Sequence, residues 1–117
     1  DIKIKDANIL ILGLTFKENC PDIRNTKVVD IVKELKDYEA NVDVYDPWIN
    51  GTESQQEYGI TPVSELVEQE YDAIVLAVAH HQFKELGADN IRKLGKKDVV
   101  IYDLKYVLDK QNVDIRL

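Results

Sequence analysis

The chain has 117 residues, 44% of them hydrophobic, which is enough for one compact domain with its own core. Its 22 acidic residues outnumber its 15 basic residues and give a net charge of -7, so nucleic acid and anionic membrane surfaces are poor partners. No apolar run is long enough to span a bilayer, and the single cysteine, Cys20, excludes an internal disulfide and a zinc framework. We expect residues 1 to 117 to form one domain of a soluble, cytoplasmic protein.

The first part of the chain predicts a strand, a helix and a second strand. The continuous apolar run from Asn8 to Leu14 is typical of a strand that is buried on both faces of a parallel sheet. Apolar residues then recur at helical spacing from Val28 to Leu35, and either Asn25 or Thr26 is placed to cap this helix. The stretch Asn41 to Tyr45 alternates like a strand and stops before a proline.

The second part continues the same alternation. Trp48 to Gly59 has little periodicity and predicts a surface loop, whereas Pro62 to Gln69 predicts a short helix with proline in its first turn. Tyr71 to Ala79 is the strongest signal for a buried strand. The remaining predicted elements are a helix over Gln82 to Leu94, a strand over Asp98 to Tyr102 and an edge strand over Val113 to Leu117.

This order of elements predicts an α/β fold. The sheet should be open and mainly parallel, with helices on both sides, in a Rossmann-like three-layer sandwich. The glycine fingerprint G-x-G-x-x-G is missing, because Gly13 is followed by Leu14, Thr15 and Phe16. Ligands of such sheets collect beyond the carboxyl ends of the strands, where four loops should converge: Thr15 to Asn25, Asp46 to Trp48, His80-His81 and Asp103 to Tyr106.

Two cations in the first of these loops are candidates for binding phosphate. Arg24 could grip an anion with two hydrogen bonds, and Lys17 could act as a point charge. In so acidic a chain, two cations at the ligand edge of a strand indicate an anionic ligand. Both could equally be solvated loop residues that pair with Asp22 or Glu18, and composition alone favours that alternative.

A longer motif favours ligand binding over solvated loop residues. Residues 13 to 26 (GLTFKENCPDIRNT) resemble the segment that opens the C-terminal, UDP-binding domain of the UDP-glucose and GDP-mannose dehydrogenase family. The later motifs of that family follow in the expected order, as Val44-Tyr45-Asp46-Pro47, Tyr71-Asp72-Ala73-Ile74 leading to Ala79-His80, and Tyr102-Asp103-Leu104-Lys105. The sequence around Cys20-Pro21 and Asn25-Thr26-Lys27 is most similar to that of the branch whose members oxidise UDP-N-acetylhexosamines for surface polysaccharides.

The resemblance implies roles for four residues of this chain. Phe16, Lys17 and Lys105 match positions that bind the UDP-sugar, and Arg24 matches an arginine that reaches NAD. Some relatives have arginine where this chain has Lys105, and lysine lacks the two-pronged donor that arginine offers. The cofactor NAD itself would be held mainly by an N-terminal Rossmann domain, which these residues do not include. The UDP-sugar and the N-terminal and central domains of the same enzyme are thus the implied partners, and the full-length enzyme should be a homo-oligomer.

The family's reaction consists of two successive hydride transfers from C6 of the sugar to NAD, by way of a thiohemiacetal and a thioester on a cysteine. That cysteine lies in the N-terminal portion and does not match Cys20, for which we expect a structural role. No catalytic residue and no metal ligand is therefore predicted in this chain, and the isolated domain should be inactive.

Other polar and aromatic residues at the strand ends have simpler explanations. His80 and His81 should start a helix or pack, because no carboxylate at a fixed spacing marks either as a base. Asp46 should cap the turn at Pro47. Trp48 could stack on a base or shield the edge of the sheet, and burial is the commoner outcome.

Two other classes of function stay open on the residues alone. A receiver-like module would bind a protein partner, but receivers carry an acidic cluster near the end of the first strand, where this chain has Gly13, Leu14 and Thr15. A stand-alone nucleotide-binding module would require a gene product that ends near these termini. The start at Asp1 and the lack of methionine instead predict a fragment of a larger enzyme.

Overall fold

The computed structural model describes residues 4–24, 26–105, 107–108 and 113–116. Five strands lie in one parallel sheet in the order second, first, third, fourth, fifth. The strands are β1 (Asn8–Leu12), β2 (Asn41–Tyr45), β3 (Tyr71–Leu76), β4 (Gly95–Asp103) and β5 (Ile115–Arg116), and the helices are α1 (Val28–Asp37), α2 (Gly51–Tyr58) and α3 (His81–Arg92). The predicted strands are confirmed, and Asn25, Tyr106 and Leu117 lie outside the described residues.

Both faces of the sheet are covered by helices. Successive side chains of a strand point to opposite faces, so the apolar run of β1 supplies apolar residues to each face. On one face, Ile9 and Ile11 of β1 belong to the apolar cluster that includes Val32 of α1. On the other face, Leu10 and Leu12 belong to the cluster that includes Phe83 and Ile91 of α3. This arrangement confirms the three-layer α/β fold and explains why β1 reads as a continuous apolar run.

Helix α2 replaces the loop that was predicted over Trp48 to Gly59. That prediction was wrong because Ser54 is the only buried residue of α2, so the helix shows no apolar periodicity. Its ends do carry a signal. The side chain of Asn50 accepts hydrogen bonds from the N–H groups of Thr52 and Glu53, and Gly59 closes the helix at a φ of 70°.

We expect the substitution Asn50→Ala to lower the free energy of unfolding by about 1 kcal/mol, because it removes this cap. Chemical denaturation of the two proteins measures the difference. Replacing the exposed Thr52 by alanine is a matched control, which should leave stability within about 0.5 kcal/mol. Equal losses in the two variants would show that the Asn50 side chain does not stabilise α2.

The short helix predicted over Pro62 to Gln69 is also absent. In this stretch the backbone bonds to neighbouring elements instead of to itself: the N–H of Val63 donates to the carbonyl of Val44 at 2.8 Å, and that of Gln69 donates to Lys93 at 2.9 Å. These bonds pair two backbone N–H groups of the segment without a helix. No helix among the described residues is long and apolar enough to cross a membrane.

The ends of the strands place the loops side by side. In the register of the sheet, Leu12 of β1 lies opposite both Tyr45 and Leu76, and Leu76 lies opposite Asp103. Four strands therefore end at the same level, and the loops that follow them start next to one another. The register of the strands thus brings these loops together, as predicted.

Candidate functional site

A cleft lies at the topological switch point of the sheet. From β1 the chain passes to β2 on one side, whereas β3 lies on the other side. The loop after β1 leads to α1 on one face of the sheet, and the loop after β3 leads to α3 on the other face. The cleft has a volume of about 400 Å³ and is lined by both loops, by the first turn of α1 and by the loop after β4. This volume falls within the range of about 300–1,000 Å³ that is typical of small-molecule sites.

Gly13 fixes how closely the two loops approach each other. Its φ is 106°, a conformation that side chains rarely adopt. A Cβ atom at this position would lie 2.6 Å from the Cβ atom of Val78, which belongs to the loop after β3. Glycine is therefore required here for close packing of the two loops.

Three lysines surround the cleft, each from a different segment. Lys17 lies in the loop after β1, Lys27 precedes α1, and Lys105 lies in the loop after β4. All three are exposed, and none forms an ion pair within the described ranges. Glu18 is the only acidic residue in the lining. The cleft is thus locally positive in a chain whose net charge is -7.

Phe16 lies beside these lysines with 58% of its surface exposed. The backbone places it there, because the N–H of Phe16 donates to the carbonyl of Asp22 at 2.7 Å and closes the loop. An exposed aromatic ring at the rim of a cleft offers an apolar face to a base or a sugar. Phe16, Lys17 and Lys105, the three residues predicted to bind the substrate, therefore line one cleft.

Arg24, the residue predicted to reach the cofactor, is not among the residues that line the cleft. Its guanidinium forms two hydrogen bonds with the carboxylate of Asp22, each 3.0 Å long, and its side chain is 81% exposed. These bonds lower the pKa of Asp22 below its usual value and raise that of Arg24. The predicted pairing with Asp22 is thus present for Arg24. Lys17 also lowers the pKa of Asp22 through its charge, but it forms no ion pair with Asp22 or Glu18.

Asp46 has a larger role than the turn cap that was predicted. Its Oδ1 accepts from the N–H of Trp48 at 2.8 Å, which is the expected cap. Its Oδ2 accepts from the N–H groups of Leu14 at 2.7 Å and Thr15 at 3.1 Å. This buried carboxylate therefore fixes the beginning of the loop after β1 to the end of β2.

His80 connects the same carboxylate to the loop after β3. Its side chain is fully buried, with Nε2 2.9 Å from Oδ2 of Asp46 and Nδ1 2.8 Å from the backbone nitrogen of Asn19. It also precedes α3, so the predicted position at a helix start is confirmed. The partner carboxylate lies 34 residues away in the sequence, so no local spacing could predict this contact.

Other residues near the site stabilise the loops. Asp103 is buried and accepts hydrogen bonds from the N–H groups of Lys105, Val107 and Leu108, so it shapes the loop that carries Lys105. Trp48 is half-buried, and its indole N–H donates to Gln82. Cys20 is a half-buried free thiol, and its structural role stays a prediction.

A second groove, of about 730 Å³, lies at the opposite edge of the sheet. It is larger than the cleft, and its lining includes Arg92, Lys93, Lys96 and Lys97. Carboxylates already contact two of these cations, because Arg92 pairs with Asp114 and Lys96 pairs with Asp72. Parallel α/β sheets bind ligands at their carboxyl edge, so the smaller cleft is the candidate site.

Two relatives match nearly the whole chain. It is 59% identical over 116 residues to the UDP-N-acetyl-D-glucosamine 6-dehydrogenase of Pseudomonas aeruginosa, and 54% identical to the protein of the same name from Salmonella typhi. Each alignment covers 99% of this chain but only 28% and 27% of the respective relatives. The chain thus spans less than a third of the length of these relatives.

Solved structures of similar proteins share the fold. The UDP-D-ManNAc dehydrogenase of Pyrococcus horikoshii superimposes with a TM-score of 0.73 at 29% identity, covering 93% of this chain and 24% of that protein. The NDP-N-acetyl-D-galactosaminuronic acid dehydrogenase of Methanosarcina mazei Go1 gives a TM-score of 0.79 at 25% identity, covering 94% and 23%. Residues 10–110 match the family model for the UDP-binding domain. The chain therefore belongs to the UDP-glucose/GDP-mannose dehydrogenase family, and it corresponds to the UDP-binding domain of that family.

Proposed function

We propose that the cleft binds the UDP part of a UDP-sugar, and that the whole protein is an NAD-dependent UDP-sugar 6-dehydrogenase. The observation that carries this proposal is the meeting of Lys17, Lys27 and Lys105 around one cleft of a strongly acidic chain. These three cations form no ion pair in the described part of the chain, and they outnumber Glu18 in the lining, so the cleft attracts the negative charge of a diphosphate. Family membership indicates which diphosphate the site has to accept.

Different residues of the cleft contact different parts of the ligand. Lys17, from the loop after β1, and Lys105, from the loop after β4, donate to the diphosphate. Lys27 adds a third positive charge at the amino end of α1, where the helix dipole also favours an anion. Phe16 covers the base or the sugar with its exposed ring. Lysine suits this task because it acts as a point charge on a flexible stem and adapts to the phosphate oxygens.

The structure of the loop after β1 argues against a dinucleotide in this domain. A Rossmann loop offers free backbone N–H groups to a pyrophosphate, but here those of Leu14 and Thr15 already donate to Asp46. NAD, which accepts the hydride when it is bound, is therefore held by other parts of the full-length protein. Arg24 is exposed and is held by Asp22 through Nε and Nη2, which leaves Nη1 outside that pair. We propose that Arg24 contacts the cofactor through this group.

The reaction we propose for the full-length protein is oxidation of the C6 alcohol of a UDP-N-acetylhexosamine to a carboxylate, for surface polysaccharide. The names of the two relatives, UDP-N-acetyl-D-glucosamine 6-dehydrogenases, support this substrate class. The catalytic cysteine would lie outside these 117 residues, and the isolated chain would have no turnover. The full-length enzyme would be a cytoplasmic homo-oligomer.

We expect isothermal titration calorimetry to show that this chain binds UDP at least about tenfold more tightly than uridine, because only UDP offers charged partners to the lysines. The difference should shrink as salt is added, since salt screens exposed charges. Equal affinities for UDP and uridine, or no binding of UDP, would contradict the proposed function. In the full-length protein, reduction of NAD with UDP-N-acetyl-D-glucosamine tests the proposed reaction.

A further inference from the structure

The His80 side chain is a buried polar junction between three segments of the chain. The imidazole is fully buried and packs against Phe83, with ring centroids 5.5 Å apart. Its Nδ1 lies 2.8 Å from the backbone nitrogen of Asn19, in the loop after β1. Its Nε2 lies 2.9 Å from the Asp46 carboxylate, at the end of β2.

These contacts determine where the imidazole carries its proton. A backbone N–H group can only donate, so Nδ1 of His80 must accept from Asn19 and carries no hydrogen. The proton then lies on Nε2 and is donated to Asp46, with the hydroxyl oxygen of Thr15 also 3.1 Å away. The neutral Nε2–H form therefore satisfies both neighbours, whereas a charged imidazolium would direct a second N–H at the N–H of Asn19.

The same contacts anchor both ends of a five-residue loop segment. At its first residue, the N–H of Thr15 donates to Asp46 at 3.1 Å. At its last residue, the N–H of Asn19 donates to His80, and Asn19 adopts a φ of 56°. The side chain of Asn19 also accepts from the N–H of His81 at 2.8 Å and so caps α3. Phe16 and Lys17 lie between these two anchors.

We propose that His80 is a positioning residue for the nucleotide-sugar site. Its neutral imidazole, oriented by Asp46, holds Asn19 and thereby keeps Phe16 and Lys17 at the cleft. This inference rests on the proposed function, because it assigns His80 a part in UDP binding at the same site. A ring that only filled space would need no polar partners, and burying polar atoms is costly unless each is hydrogen-bonded.

Two substitutions separate the contacts of His80. Asparagine has a carboxamide oxygen near the position of Nδ1, so His80→Asn keeps an acceptor for Asn19. Glutamine reaches the position of Nε2, so His80→Gln keeps a donor for Asp46 but leaves the N–H of Asn19 without its acceptor. Both remove the ring and its packing against Phe83. Their thermal stabilities without ligand should therefore be similarly reduced.

The two variants should differ in their affinity for UDP, measured by calorimetry at a temperature at which both are folded. His80→Gln should bind UDP about tenfold or more weakly than the original protein, and His80→Asn should stay within about threefold of it. Equal affinities in all three proteins would overturn the positioning role while leaving the proposed function intact. Equal losses in both variants would overturn the role of the Asn19 contact. If the original protein fails to bind UDP, the proposed function falls, and this inference falls with it.

A measurement on the unsubstituted protein tests the geometry without any variant. Nitrogen-15 NMR of the imidazole near neutral pH should show the neutral Nε2–H form of His80. The amide hydrogen of Asn19 should exchange at least about tenfold more slowly than that of Glu18, its exposed neighbour. An Nδ1–H form, an imidazolium or an unprotected Asn19 amide would overturn the inference even if the variants do not fold.

Discussion

Replacing Lys17 and Lys105 together by alanine should weaken the binding of UDP by about a hundredfold, and Lys17→Ala alone by about tenfold. Each lysine would donate a charge-assisted hydrogen bond to the diphosphate, and such a bond contributes about 1.5–3 kcal/mol. Both side chains are exposed, so the free energy of unfolding should change by less than about 0.5 kcal/mol. Calorimetric titration with UDP measures the affinity, and denaturation checks the fold.

The opposite edge of the sheet supplies a matched control for this experiment. Replacing Lys93 and Lys97 by alanine removes two exposed cations from the larger groove and changes the net charge by the same amount. This variant should bind UDP within about twofold of the original protein, because long-range effects of exposed charges are screened by salt. If the control loses as much affinity as the cleft variant, the lysines act through net charge alone. Unchanged affinity in the cleft variant would place the ligand elsewhere.

Gly13→Ala should lower the free energy of unfolding by about 3 kcal/mol. The methyl group would meet Val78 at 2.6 Å, and overpacking of this kind costs about 1–3 kcal/mol in addition to about 1 kcal/mol of backbone strain at a positive φ. The backbone nitrogen of Val78 lies only 2.9 Å from the added carbon, so a change of side-chain rotamer cannot relieve the clash. Urea denaturation measures the loss.

Gly59→Ala separates the strain from the clash. Gly59 also has a positive φ, of 70°, but nothing lies within 4 Å of an added Cβ atom. This substitution should therefore cost only about 1 kcal/mol. Similar losses at Gly13 and Gly59 would mean that the loops after β1 and β3 can move apart, and that their close approach is not needed for the fold.

The sheet could be predicted from the sequence because its signal is local. β1 and β3 are short apolar runs, and β2 was predicted with the bounds that it has. α2 could not be recognised by periodicity, since it buries only Ser54, although Asn50 and Gly59 marked its ends. The segment from 62 to 69 forms backbone hydrogen bonds with β2 and with the turn before β4, and no local pattern reveals these contacts.

The site was predictable only in part, because much of it depends on tertiary contacts. The motif that begins at Gly13 identified Phe16 and Lys17, and the structure places them in one cleft with Lys105. Lys27 was missed, although its position just before α1 was a usable signal for an anion site. The contact between His80 and Asp46 joins residues that are distant in sequence, so only the register of the strands brings them together.

Titration of the isotope-labelled chain with UDP, followed by two-dimensional NMR of the backbone amides, tests the location of the ligand most directly. The largest changes in chemical shift should occur at residues that line the cleft: Phe16, Lys17, Val28, Ala79 and Lys105. The chemical shifts of amides around the larger groove, such as those of Lys93 and Lys97, should not change. Shifts concentrated at that opposite groove, or no shifts at saturating UDP, would contradict the assignment of the cleft as the nucleotide site.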